Sequence, residues 1–124
     1  MLLDTDVMVD ILRLHPPALS WFAGLGTAPV GLPGFVAMEL IQGCNNLIEQ
    51  RRLERHLRRF STYWPSEADC RRALLDFAAY RLSHNLGMLD ALIGQTAVGM
   101  GETLATFNVK HFSVVSGVII IQPY

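Results

Sequence analysis

Three acids stand alone in apolar stretches of this sequence. Asp4 follows Met1-Leu2-Leu3. Between Arg13 and Glu49 the only formally charged residue is Glu39, inside Phe-Val-Ala-Met-Glu-Leu-Ile. Between Arg81 and Glu102 the only one is Asp90, inside Gly-Met-Leu-Asp-Ala-Leu-Ile-Gly. A carboxylate removed from water is costly unless something compensates it, and a bound cation is the strongest compensation. None of the three has a basic residue at helical spacing to pair with. Together they predict an oxygen-ligand cluster for Mg²⁺ or Mn²⁺. Each also has a plainer reading. Asp4 can cap a helix, with Asp6 the better N-cap candidate; Glu39 can face solvent beside Gln42; Asp90 can cap the helix that begins near it.

The elements that must position these acids follow from periodicity. The first ten residues read as a short buried strand ending at Asp4, then a turn and a helix from about Asp6 to Leu14 with Val7, Met8, Ile11 and Leu12 inward. Pro17 opens a short second helix through Trp21 and Phe22, closed by Gly24. Pro29 to Leu32 is a weak strand, Phe35 to about Gly43 a helix, Leu47 to Phe60 a longer one, and Thr62 to Trp64 a short extended piece. Ser66 with Asp69 predicts a capped start for a helix that ends near His84-Asn85 and carries Cys70, Ala73, Leu74, Phe77 and Ala78 on one face. Leu89 to Met100 repeats at helical spacing, and the strands Thr103–Phe107 and Val118–Ile121 finish the chain. Strands separated by helices predict an α/β fold with a mostly parallel, short-stranded sheet covered on both faces. Open sheets of this kind place chemistry beyond the carboxyl ends of their strands, where Asp4 falls.

Bulk properties narrow the classes. A chain of 124 residues suits one domain with a real core. Hydrophobic residues at 51% against 17% charged predict an apolar surface that meets a partner. A formal net charge of −1 leaves nucleic-acid binding to a local patch. Cys44 and Cys70 lack zinc-like spacing and suit a reducing, cytoplasmic setting. No signal peptide is expected, since Asp4 and Asp6 interrupt the apolar start. Residues 16–38 carry no formal charge, yet repeated Gly and Pro break them, so no membrane span is expected.

Smaller features bear on a metal site. Thr5 and Thr106 fall at strand ends, and Gly94, one turn after Asp90, would leave room for a bulky substrate. Asp10 reads as solvated surface, and Ser83-His84 as a helix end, not a nucleophile pair. Five of the ten basic residues, Arg51, Arg52, Arg55, Arg58 and Arg59, crowd one helix. They are expected on the face opposite Leu53, Leu57 and Phe60. That face either contacts an RNA backbone or an acidic partner, or is simply solvated.

The ordered set Leu3-Asp4-Thr5-Asp6-Val7, Met38-Glu39-Leu40-Ile41-Gln42-Gly43, Leu89-Asp90-Ala91-Leu92-Ile93-Gly94, Leu104-Ala105-Thr106-Phe107-Asn108-Val109-Lys110-His111-Phe112 and Gln122-Pro123-Tyr124 resembles a PIN domain, and more narrowly the VapC-type toxins of bacterial toxin–antitoxin pairs. The resemblance covers essentially the whole chain, 1–124. It implies a three-layer PIN-like fold and a Mg²⁺- or Mn²⁺-dependent endoribonuclease, restrained by a cognate antitoxin and expected as a homodimer. Asp4, Glu39 and Asp90 fall on three of the family's acidic positions. Asn108 stands where many relatives have Asp, and Asp6 where relatives often have Asn. The amide puts the number of bound metal ions in question and leaves a binding module without activity as the alternative. A phospho-receiver domain fits less well, because Glu39 and Asp90 lie in helix-period segments and not at the end of a central strand.

Overall fold

A computed structural model describes residues 1–124. Its centre is a two-residue strand, β1 (Leu2–Leu3), whose side chains are wholly buried. An uninterrupted apolar run of this kind belongs to a parallel sheet covered on both faces. The other strands are β2 (Gly31–Pro33), β3 (Ser61–Tyr63), β4 (Leu104–Ala105) and β5 (Ile120–Ile121), in the order β3-β2-β1-β4-β5. Every pairing is parallel, so the expected mostly parallel sheet is parallel throughout.

Seven helices connect the strands: α1 (Thr5–Leu12), α2 (Pro16–Gly24), α3 (Gly34–Gln42), α4 (Leu47–Leu57), α5 (Glu67–His84), α6 (Met88–Met100) and α7 (Val109–Phe112). From β1 the chain steps one way to β2 and β3, then crosses to the other side for β4 and β5. Crossovers that run in opposite directions from β1 place helices on both faces of the sheet, giving three layers. They also leave a crevice at the carboxyl ends of β1 and β4, where the order reverses.

Most element boundaries agree with the periodicity to within one to three residues, and the differences have causes. Asp4, not Asp6, is the N-cap of α1, accepting from the Thr5 N–H at 2.7 Å. β2 begins at Gly31 rather than Pro29, where pairing with β1 and β3 is available. Ser66 and Asp69 form the reciprocal capping pair expected for α5, whose C-cap, Asn85, is left-handed at φ 53°.

The apolar face of α5 is not the one it buries. Ala73 is buried, but Cys70, Leu74 and Ala78 are exposed, and the inward stripe carries Asp69 and Asp76. Asp76 finds its partners inside: it accepts from Gln95 Nε2 at 2.7 Å, the Ser116 hydroxyl at 2.7 Å and the Ser116 N–H at 3.2 Å. Satisfying that carboxylate turns the polar stripe inward and leaves Leu74, Leu75 and Leu82 facing out.

Gly94 does not leave substrate room either. A Cβ there would stand 2.8 Å from Val115 Cγ1, so the glycine lets α6 pack against the C-terminal turn. Asp10 is no freely solvated acid, because it accepts from the Tyr124 hydroxyl at 2.8 Å. The short helix α7 had no expectation behind it; it carries the wholly buried Phe112. No helix is long and apolar enough to cross a membrane, and the uncharged stretch 16–38 divides among α2, β2 and α3.

Candidate metal centre

The crevice between β1 and β4 gathers the acids in order of burial. Asp4, 6% exposed, leaves the end of β1, and its backbone N–H donates to Ala105 at the end of β4. Its second carboxylate oxygen accepts from the Thr106 hydroxyl at 2.7 Å. Thr106, wholly buried just beyond β4, also accepts from the Asn108 N–H at 2.9 Å. That hydroxyl therefore locks the two central strand ends together through one oxygen. Asp6, in the first turn of α1, accepts from the Phe107 N–H at 2.9 Å and lies 3.5 Å from the same Thr106 hydroxyl.

Glu39 and Asp90 arrive on helices. Glu39, in the middle of α3, is hydrogen-bonded by the Thr5 hydroxyl, which ties it to the residue beside Asp4. Asp90 is in the first turn of α6, where a carboxylate meets the positive end of the helix dipole. His111 Nδ1 stands 3.4 Å from its carboxylate and 3.1 Å from the Asn108 amide. Of the predicted residues, then, Asp4, Asp6, Thr106 and Asn108 form one bonded cluster, and Glu39 joins it through Thr5. Asp90 faces it with His111.

Charge is uncompensated here. No Lys or Arg pairs with Asp4, Asp6, Glu39 or Asp90. Burial pushes Asp4 up to about 7, against the hydrogen bonds from Thr106 and Thr5, and the charges of Asp6 and Asp90 add to the rise. Asp6 is likewise raised, chiefly by burial, with its bonds to Phe107, Val7 and Thr106 opposing. The donor set is four carboxylates and one amide oxygen, the chemistry of a hard divalent cation. No three acidic, imidazole or thiol groups yet converge on one point as ligands of a single ion would, since each carboxylate is turned to a protein donor. The donors fit such a cation by chemistry, and closing on it requires side-chain rotation.

All five arginines of α4 and its end are exposed, opposite the buried Leu53 and the half-buried Leu57 and Phe60, as expected. Only Arg52, at the edge of that face beside Leu53, lines the groove that runs from Thr5 and Glu39; Arg51, Arg55, Arg58 and Arg59 do not, and Arg51 stands 3.8 Å from Glu54. Arg13 and His56 also line that groove and had not been singled out. The i, i+4 spacing of Arg52 and His56 was the available signal.

The sequence pattern of the PIN domain family matches residues 1–118. The chain is 35% identical over 113 residues to ribonuclease VapC10 of Mycobacterium tuberculosis, spanning 90% of this chain and 84% of that protein. Its fold is similar to a chain of a toxin–antitoxin complex from Klebsiella pneumoniae, with TM-score 0.76, 25% identity, and coverage of 99% of this chain and 97% of that one. It is also similar to a chain of the VapBC2 complex of Rickettsia felis bound to a DNA fragment from its promoter, with TM-score 0.78, 22% identity, and coverage of 97% and 96%.

Proposed function

The chain belongs to the PIN domain family, and on that premise we propose that it is a metal-dependent endoribonuclease hydrolysing RNA phosphodiester bonds, the toxin of a toxin–antitoxin pair. The observation that carries this reading is the set of acids without a Lys or Arg partner at the sheet's switch point, with Asp4 raised to about 7 by burial among them. The activity and the antitoxin partner are drawn from the relatives' names and from the resemblance in the acidic positions. The exposed leucines of α5, Leu74, Leu75 and Leu82, support a homodimer.

Asp4, Glu39 and Asp90 would hold Mg²⁺ or Mn²⁺, with Asp6 and Asn108 as further oxygen donors. Such an ion supplies a Lewis acid for the phosphate and a lowered pKa for the attacking water. The chain's own residues do the positioning. Thr106 fixes Asp4, Thr5 fixes Glu39, and the Phe107 N–H fixes Asp6. A short single-stranded RNA incubated with the purified chain and Mn²⁺ should be cut internally; RNA left intact would remove the reading.

Asn108 decides how many ions the free protein holds. Its amide contributes an oxygen without charge, leaving Asp4, Glu39 and Asp90 enough for one divalent ion, while a second fills only with substrate phosphate present. Asn108→Asp should tighten Mn²⁺ binding in the RNA-free protein about tenfold, ~1.4 kcal/mol. Calorimetric titration checks this. No gain from Asn108→Asp, or two tight ions in the wild type, would contradict it.

A further inference from the structure

A groove of about 640 Å³ lies between α1, α3 and α4. Thr5 and Glu39 line it, so it is continuous with the acid cluster. From α4 it receives the stripe Glu49, Arg52, Leu53 and His56, spaced i, i+3, i+4 and i+7. Arg13, the C-cap of α1, adds a third basic side chain. Neither Arg13 nor Arg52 forms an ion pair. Glu49, the one acid on the lining besides Glu39, already accepts from the Asn45 N–H at 2.9 Å. Val9, Leu40 and Leu53 supply apolar lining.

The wall thus carries spaced, unpaired cationic groups beside an apolar strip, and it starts at the candidate site of phosphodiester hydrolysis. A single-stranded polynucleotide has the complementary pattern, with anionic phosphates along one side and flat bases along the other. We infer that this groove binds the RNA strand on one side of the scissile phosphate, with phosphates against Arg13, Arg52 and His56 and a base on Val9, Leu40 and Leu53. The inference rests on the ribonuclease reading and deepens it. It divides the arginines of α4: Arg52 grips the substrate backbone, while Arg58 and Arg59, which do not line the groove, contribute only diffuse charge.

The test is fluorescence anisotropy with a labelled octauridylate RNA in EDTA, which prevents cutting, across a range of salt concentrations. Arg13→Gln and Arg52→Gln should each weaken binding several-fold at low salt. Each should also lower the salt slope by ~0.7, the value for one lost single-strand phosphate contact, and the double variant by about twice that. Arg58→Gln and Arg59→Gln should leave the slope unchanged, and all variants should keep the wild-type melting temperature. Equal losses in groove and outer variants, or no salt-dependent binding by the wild type, would overturn the inference. Polyglutamate binding that disappears in Arg13→Gln and Arg52→Gln while RNA binding persists would assign the groove to an acidic polypeptide and also overturn it. RNA gripped through the groove but never cut with Mn²⁺ would instead remove the ribonuclease reading and leave only RNA binding by the groove.

Discussion

Asp4→Asn is expected to remove most RNA cleavage and to raise the melting temperature of the metal-free protein at pH 7 and above. The folded chain holds a proton on Asp4 up to about 7, whereas the unfolded chain releases it near 3.8. Between those values the folded state binds more protons, so this group's contribution to stability falls as pH rises through the window and levels off above it. Asparagine cannot ionise, so the variant's advantage grows from about pH 4 to about pH 7, to a ceiling of ~4 kcal/mol. Its amide oxygen still accepts from the Thr5 N–H, and its NH₂ can donate to the Thr106 hydroxyl oxygen, so the α1 cap survives. Cleavage falls by about 10²-fold or more, the scale of losing one pre-organised electrostatic group. Glu39→Gln and Asp90→Asn should lose cleavage similarly. Thermal melts in EDTA at pH 5 and pH 8, beside a cleavage assay with Mn²⁺, check both halves. A variant that melts below wild type at pH 8 would reduce Asp4 to an ordinary helix cap.

The second buried aspartate answers with the opposite sign. Asp76→Ala should destabilise by ~3 kcal/mol or more, because it strips acceptors from Gln95 and Ser116 and leaves their donors buried without partners. For a chain of this length that is a fall in melting temperature of about 10 °C or more. Asp76, 4% exposed, is even more buried than Asp4 at 6%, yet it accepts three hydrogen bonds and ties α5, α6 and the C-terminal turn. Asp4 accepts two and stands beside other acids. Burial alone does not decide whether a carboxylate stabilises; its partners do. A melting temperature within about 2 °C of wild type would show that water replaces the lost acceptor.

Much of the site was legible in the sequence. Isolation in apolar stretches singled out Asp4, Glu39 and Asp90, and each arrives where the sheet order reverses or on a helix leading there. The sheet's parallel character followed from strands alternating with helices. What the sequence concealed depended on partners far along the chain. Asp76 reads as one more polar residue on α5 until Gln95 and Ser116, 19 and 40 residues later, accept it into the interior. Gly94 reads as open space until Val115 fills it. The arginines of α4 share an exposed face, and only the groove, which the packing of α1, α3 and α4 creates, separates Arg52 at its edge from the rest.

The central claim is that the acid cluster works by holding a divalent cation, and one measurement reaches it directly. Single-stranded RNA is incubated with the purified chain in Mg²⁺ or Mn²⁺, then in excess EDTA, then with Mn²⁺ restored. The account predicts cleavage with metal, none in EDTA, and recovery when Mn²⁺ returns, with Glu39→Gln and Asp90→Asn silent throughout. Cleavage that persists in EDTA would contradict it and turn attention to His111 or His84 as proton-transfer groups.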